Sequence, residues 1–137
     1  MPWTIDNKFR ISGNEAVVSF ILKHRELSAH DEVASVLTRS ARGLSDVHEY
    51  CPDINRYAYV LLHTGAHRIF GIAYGQATLA YRLPQVRIAE AVAEGGKPCP
   101  EIGPEWVMLD PWSPNGPSTV AKCCKIAHDH ASTRPAA

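Results

Sequence analysis

The sequence is short of most features that announce a function. It carries no excess of charge: 14 Lys and Arg stand against 14 Asp and Glu, so the net charge is zero with histidine neutral. A neutral chain gains little from counterion release on nucleic acid, and an anionic bilayer does not attract it. Nucleic acid and membranes are therefore not expected partners. No apolar run approaches the length needed to cross a bilayer. Met1-Pro-Trp-Thr-Ile-Asp-Asn-Lys8 has no basic stretch leading into an apolar one, so no signal peptide is read there. The cytoplasm is the expected compartment.

Cysteine is scarce too. Cys51, Cys99, Cys123 and Cys124 follow no framework spacing and include no Cys-x-x-Cys pair, so they read as free thiols. Cys123 and Cys124 suit buried packing, whereas Cys51 and Cys99, beside prolines, suit exposed loops. Gly71-Ile-Ala-Tyr-Gly75 is not a phosphate loop, because no Gly-Lys-Ser/Thr follows and no helix opens there. No three or four ligands stand at metal spacing, and neither a metal nor any other cofactor is expected.

What is present is ordinary globular material. Of the 137 residues, 45% are hydrophobic and 20% charged, which fits one domain over residues 1–137. Residues 1–11 read as irregular with a short extended piece near Lys8–Ile11, and residues 132–137 as a disordered tail. Ser12-Gly-Asn-Glu15 has the form of a capping box, and Val17, Phe20, Ile21 and His24 recur at helical spacing, which predicts a helix over 14–25. A second start signal at Ser28–Asp31 leads a helix over 29–43, with Gly43 as its stop.

The middle of the chain changes character after a turn at Pro52–Asn55. Tyr57–His63, Arg68–Tyr74 and Thr78–Arg82 are rich in aromatic and β-branched residues, and tight glycine-containing links join them into an antiparallel meander. Runs such as Tyr59-Val-Leu-Leu62 are apolar on both faces and predict cover on both sides. A helix over 85–94 should turn Val86, Ala89, Val92 and Ala93 inward. Trp106–Leu109 reads as a fourth strand. Ser118 should cap a helix over 119–131 with Val120, Cys123, Cys124 and Ala127 inside. The order α-α-β-β-β-α-β-α, with strands clustered, is that of an α+β fold.

Arg68-Ile-Phe-Gly-Ile-Ala73, Thr78–Pro84, Glu105–Pro111 and Ala121–Ala131 give residues 57–131 a layout that resembles the TfoX N-terminal and YjbR-like domains. Ile69-Phe70-Gly71 stands where that family opens its meander, and Ile72 where the family has a further glycine. The resemblance implies a regulatory or nucleic-acid-linked binding domain without established enzymatic activity.

The chemistry-bearing residues are few. His63 and His67 flank a tight turn, where their side chains can meet across the hairpin. Asp46, His48, Glu49 and Asp53 form a polar segment before the meander. His48, His63, His67 and Tyr74 are the candidate ligand-binding residues. A small enzyme or metal protein using His63, His67 and the His48 loop is the alternative. His128 and His130, two apart on a helix, point some 200° from one another and read as one inward and one solvent-facing ring at a fraying end. Trp112, on the Pro111–Pro117 loop, reads as a lid over the core. No nucleophile, base and orienter can be assembled. The expected protein therefore acts by binding itself, a protein partner or a small molecule. A homodimer is expected through a sheet or helix surface, because neither sheet edges nor net charge oppose pairing.

Overall fold

The computed structural model describes residues 4–27, 29–52 and 59–133. The chain opens on a 3-10 helix, Asn7–Phe9, followed by α1 (Glu15–Lys23) and α2 (Asp31–Ser40). Strands β1 (His48–Tyr50), β2 (Val60–His63), β3 (Ile69–Tyr74) and β4 (Thr78–Arg82) precede α3 (Gln85–Ala93). Then come β5 (Lys97–Pro98), β6 (Trp106–Leu109) and the long α4 (Gly116–Thr133). The strands form one antiparallel sheet in the order β1-β2-β3-β4-β6-β5. This is the expected α+β class, with β1 and β5 added at the two edges.

The sheet is covered on both faces. Leu62, Phe70, Ala73, Leu79, Tyr81, Val107 and Leu109 meet α2, α3 and α4 in one core. Leu61, Ile69, Ile72, Tyr74, Ala80 and Trp106 meet the N-terminal segment, α1 and the Cys99–Ile102 loop in another. Alternate residues of β4 and β6 serve opposite cores, which is why these runs lack a polar face. β3 is buried along its whole length. A bulge opposite Leu62 and His63 interrupts its alternation, pairing His63 with Ile69 and Leu62 with Gly71. Gly71 lets Tyr81 pack close: a Cβ there would lie 3.0 Å from the Tyr81 ring.

Several local expectations are corrected. Ser12 does not cap α1. Asn14 is the N-cap, and Glu15 accepts from the Gly13 N–H at 2.6 Å instead. His30 caps α2 through Nδ1, which accepts from the Glu32 N–H. The N-terminal segment forms a 3-10 turn rather than an extended piece, because the Asp6 carboxylate accepts from the Lys8 N–H and closes it. On α3 the inner stripe runs through Ile88 and Ala91, leaving Val86 87% exposed. The outer side of α3 is held by Lys122, which reaches both Glu90 and Glu94 at 2.7 Å. α4 begins before Ser118 and continues through Thr133, so the expected tail is helical at its start. The expected turn at 52–55, the start of the first predicted strand at Tyr57 and the Ser28 start signal fall wholly or partly outside the described residues.

Candidate functional site

The N-terminal segment reaches the sheet through one residue. Phe9 is fully buried, with its ring 4.5 Å from Tyr50, 4.8 Å from His63 and 5.7 Å from His67, centroid to centroid. Asn14 ties that contact to α1 and β3. Its Nδ2 donates to the carbonyls of Phe9 (2.9 Å) and His67 (2.8 Å), while Oδ1 accepts from the Ile69 N–H at 3.1 Å. This fully buried amide thereby satisfies both its donors and an acceptor, as a buried polar group must. Arg82 adds a second tie. It donates to the Gly13 carbonyl and pairs with Glu105 at 2.9 Å, fixing the turn that leads into α1.

Between this anchored segment and α1 lies a groove of about 620 Å³. Ile11, Val18 and Leu22 supply its apolar surface and Ser12 and Ser19 its polar groups, with Phe9 and Asn14, both fully buried, at its back; Arg10, Glu15 and Lys23 supply charge. The Glu15 carboxylate is already engaged. Hydrogen bonds from its own and the Gly13 backbone N–H, helped by Arg82, hold its pKa below the ordinary value. Arg10 and Lys23 have no carboxylate partner among the described residues, so the rim offers two uncommitted cations.

Behind Phe9, three imidazoles form a stack. His63 is buried; His48, its cross-strand partner, lies on one side with centroids 5.4 Å apart and planes 23° apart. His67 lies on the other side at 5.6 Å and 24°. His63 Nδ1–H donates to the Thr64 carbonyl at 2.8 Å. Burial lowers the His63 pKa against the pull of that carbonyl, and the charges of His48, His67 and Lys8 push the same way. His67 sits at φ 67°, a left-handed conformation that a tight turn imposes. Asp46, at φ 55°, accepts from the Gly65 N–H with both oxygens and from His48 Nε2 at 3.2 Å. The Gly65 bond first, and His48 second, hold its carboxyl below the usual range.

Near-parallel rings keep their nitrogen lone pairs in separate planes, and no three potential ligands converge on a metal position among the described residues.

The structure thus joins His48, His63 and His67. Tyr74 stands apart, in the core between Phe20 and Tyr59, with its hydroxyl 3.7 Å from Cys99 Sγ. Burial raises the pKa of both groups and keeps them neutral. Cys99 is buried rather than exposed, because its loop folds over the N-terminal core. Cys123 and Cys124 pack in the other core, with burial pushing the Cys123 thiol up to about 11. All four thiols are free.

Trp112 is no lid. It is half exposed beside a shallow hollow of about 310 Å³ that it lines with Val36, Arg39, Pro111 and Pro117. Nor do the late histidines mark a fraying end: His128 is buried edge-on to Phe70, and His130 turns toward Glu105 at 3.9 Å.

Phe9, Asn14, Arg10 and Lys23 escaped sequence reasoning. The one local signal was Ser12–Glu15, which marked where α1 begins without revealing the buried role of Asn14. The chain matches no family model, no curated protein and no solved structure.

Proposed function

We propose that this protein is a non-catalytic binding domain that takes a small amphipathic anion in the groove between Phe9 and α1. The observation that carries this reading is the groove itself: about 620 Å³ with an apolar surface and two uncommitted cations, Arg10 and Lys23, at its rim. Its volume falls within the range of small-molecule sites, and apolar walls with a few placed polar groups are their usual chemistry. The hydrocarbon body of the ligand rests on Ile11, Val18 and Leu22, and its anionic head lies between Arg10 and Lys23.

Titration calorimetry with decanoate, using decanol as the neutral control, tests this. Decanoate is expected to bind saturably and more tightly than the alcohol, and the Arg10→Glu, Lys23→Glu double variant to weaken it at least about tenfold. No saturable binding, or binding indifferent to the charge reversal, overturns the proposal.

Half-exposed Trp112 favours a second reading, the homodimer, because exposed aromatics are typical interface anchors. Both sheet faces are covered within the chain and the edge strands are short, so the proposed contact uses a helical surface around Trp112. Light scattering across a dilution series should show a dimer that Trp112→Ala dissociates; a persistent monomer overturns it. The cytoplasmic location belongs to the same proposal, supported by four free thiols. A regulatory role of the TfoX/YjbR-like kind is compatible with small-ligand binding.

A further inference from the structure

The groove and the imidazole stack share a wall. Phe9 lines the groove and packs against His63 and His67. Asn14 also lines the groove while holding the His67 carbonyl. Anything that pushes the histidines apart therefore loosens the segment that forms one side of the groove.

Acid would push them apart. Three near-parallel rings at 5.4 and 5.6 Å cannot all carry charge without strong repulsion, and the central ring is buried. The groups facing the stack offer little compensation. From the 3-10 helix comes Lys8, a further cation, whose Nζ lies 5.5 Å from the Phe9 ring centroid. From β1 comes Tyr50, whose hydroxyl accepts from the Asp6 N–H. Glu49 turns away to take a hydrogen bond from Thr38. From the preceding loop comes Asp46, already bound to Gly65 and His48 and also within the field of His128 from α4. Asp46 is the carboxylate bonded to the stack; the Asp6 carboxylate is taken by the Lys8 N–H, and Asp129 lies 3.9 Å from His128.

We propose that the His48–His63–His67 stack is a pH-sensitive latch: it holds the Phe9 wall shut while neutral and releases that wall as the imidazoles take up protons. The regulated site is the ligand groove proposed above, and to that extent the regulatory role rests on that reading. The latch itself needs no ligand to operate. A proton on His63 demands that the stack part, and Phe9 with the 3-10 helix moves away from the sheet.

Hydrogen exchange of the intact chain tests the latch without ligand. After correction for intrinsic rates, backbone amides of residues 7–14 should exchange at least about tenfold faster at pH 5 than at pH 7.5, while those of β4 stay protected. His63→Phe keeps an aromatic ring in the stack and removes the proton site; its 7–14 segment should lose the pH response. Should that variant fold poorly, His67→Asn removes an outer imidazole and still suits a positive φ. It should shift the response to lower pH. Exchange that is equal at both pH values, or a response unchanged in the variants, overturns the latch. Decanoate titration of the same samples separates the two proposals. Latch behaviour without decanoate binding overturns only the groove. Binding without latch behaviour overturns only the regulation.

Discussion

The two faces of the sheet are built on different terms. The α2/α4 face is mostly aliphatic and dry: Leu37, Leu62, Leu79, Val107, Cys124 and Ala127 close on one another, the Tyr81 hydroxyl finds Ser40 at 2.8 Å, and the one buried imidazole described there, His128, lies edge-on to Phe70. The N-terminal face is aromatic and contains buried polar groups. Phe9 packs beside Asn14 and His63, Phe20, Tyr59 and Tyr74 pack on one another, and the Tyr59 hydroxyl donates to the His24 carbonyl. A dry core of small and branched side chains gains stability from area and close packing. A face held by an amide, a guanidinium and an imidazole stack depends on each polar partner remaining in place and neutral where neutrality is required. The first face is suited to stability, the second to response.

Substitutions can break this contrast. Phe70→Ala on the dry face should cost most, about 4 kcal/mol in urea unfolding, because it empties a fully buried aromatic site. The fraction that remains folded should keep the chemical shifts of His48, His63 and His67, while those of His128, which packs against the removed ring, change. On the other face, Asn14→Ala should cost about 3 kcal/mol, leaving the Phe9 and His67 carbonyls and the Ile69 N–H without their partner. Unlike Phe70→Ala, it should also alter the chemical shifts of the stacked histidines. An Asn14→Ala variant with wild-type shifts would argue against coupling between α1 and the stack.

Acid sharpens the same comparison with a smaller effect. The folded-state pKa of His63 is depressed, so its contribution to stability is complete above the unfolded histidine value of about 6.5 and is lost as pH falls through the folded value. Urea midpoints measured from pH 7.5 down to 5 should therefore decline, and the decline should be shallower in His63→Phe. Smallest of all is Lys122→Ala. It removes exposed ion pairs to Glu90 and Glu94 on the outer side of the dry face and should leave the urea midpoint unchanged within error.

Parts of this architecture were legible because their signals are local. Thr78–Arg82 and Trp106–Leu109 were found as strands because apolar runs bounded by glycine or proline have few alternatives. His63 and His67 were paired by turn length alone. β1 and β5 were invisible, since two or three residues hold strand geometry only through the neighbour they bond. His48 therefore entered as a loop residue, and its place in the stack follows from the register opposite His63. The inner stripe of α3 was misassigned because its apolar residues lie on more than one side, and docking against the sheet chose among them.

The hydrophobic pattern and the turn residues were enough to set the order of the four helices and four central strands, the doubly covered sheet and the hairpin that brings His63 to His67, because each depends on neighbours a few positions apart. Long-range packing sets Phe9 against that hairpin, makes Asn14 the bridge from the N-terminal segment to β3, and opens a groove beside α1. Those contacts join residues roughly 50 positions apart, and no local periodicity encodes which distant backbone groups a buried amide will satisfy.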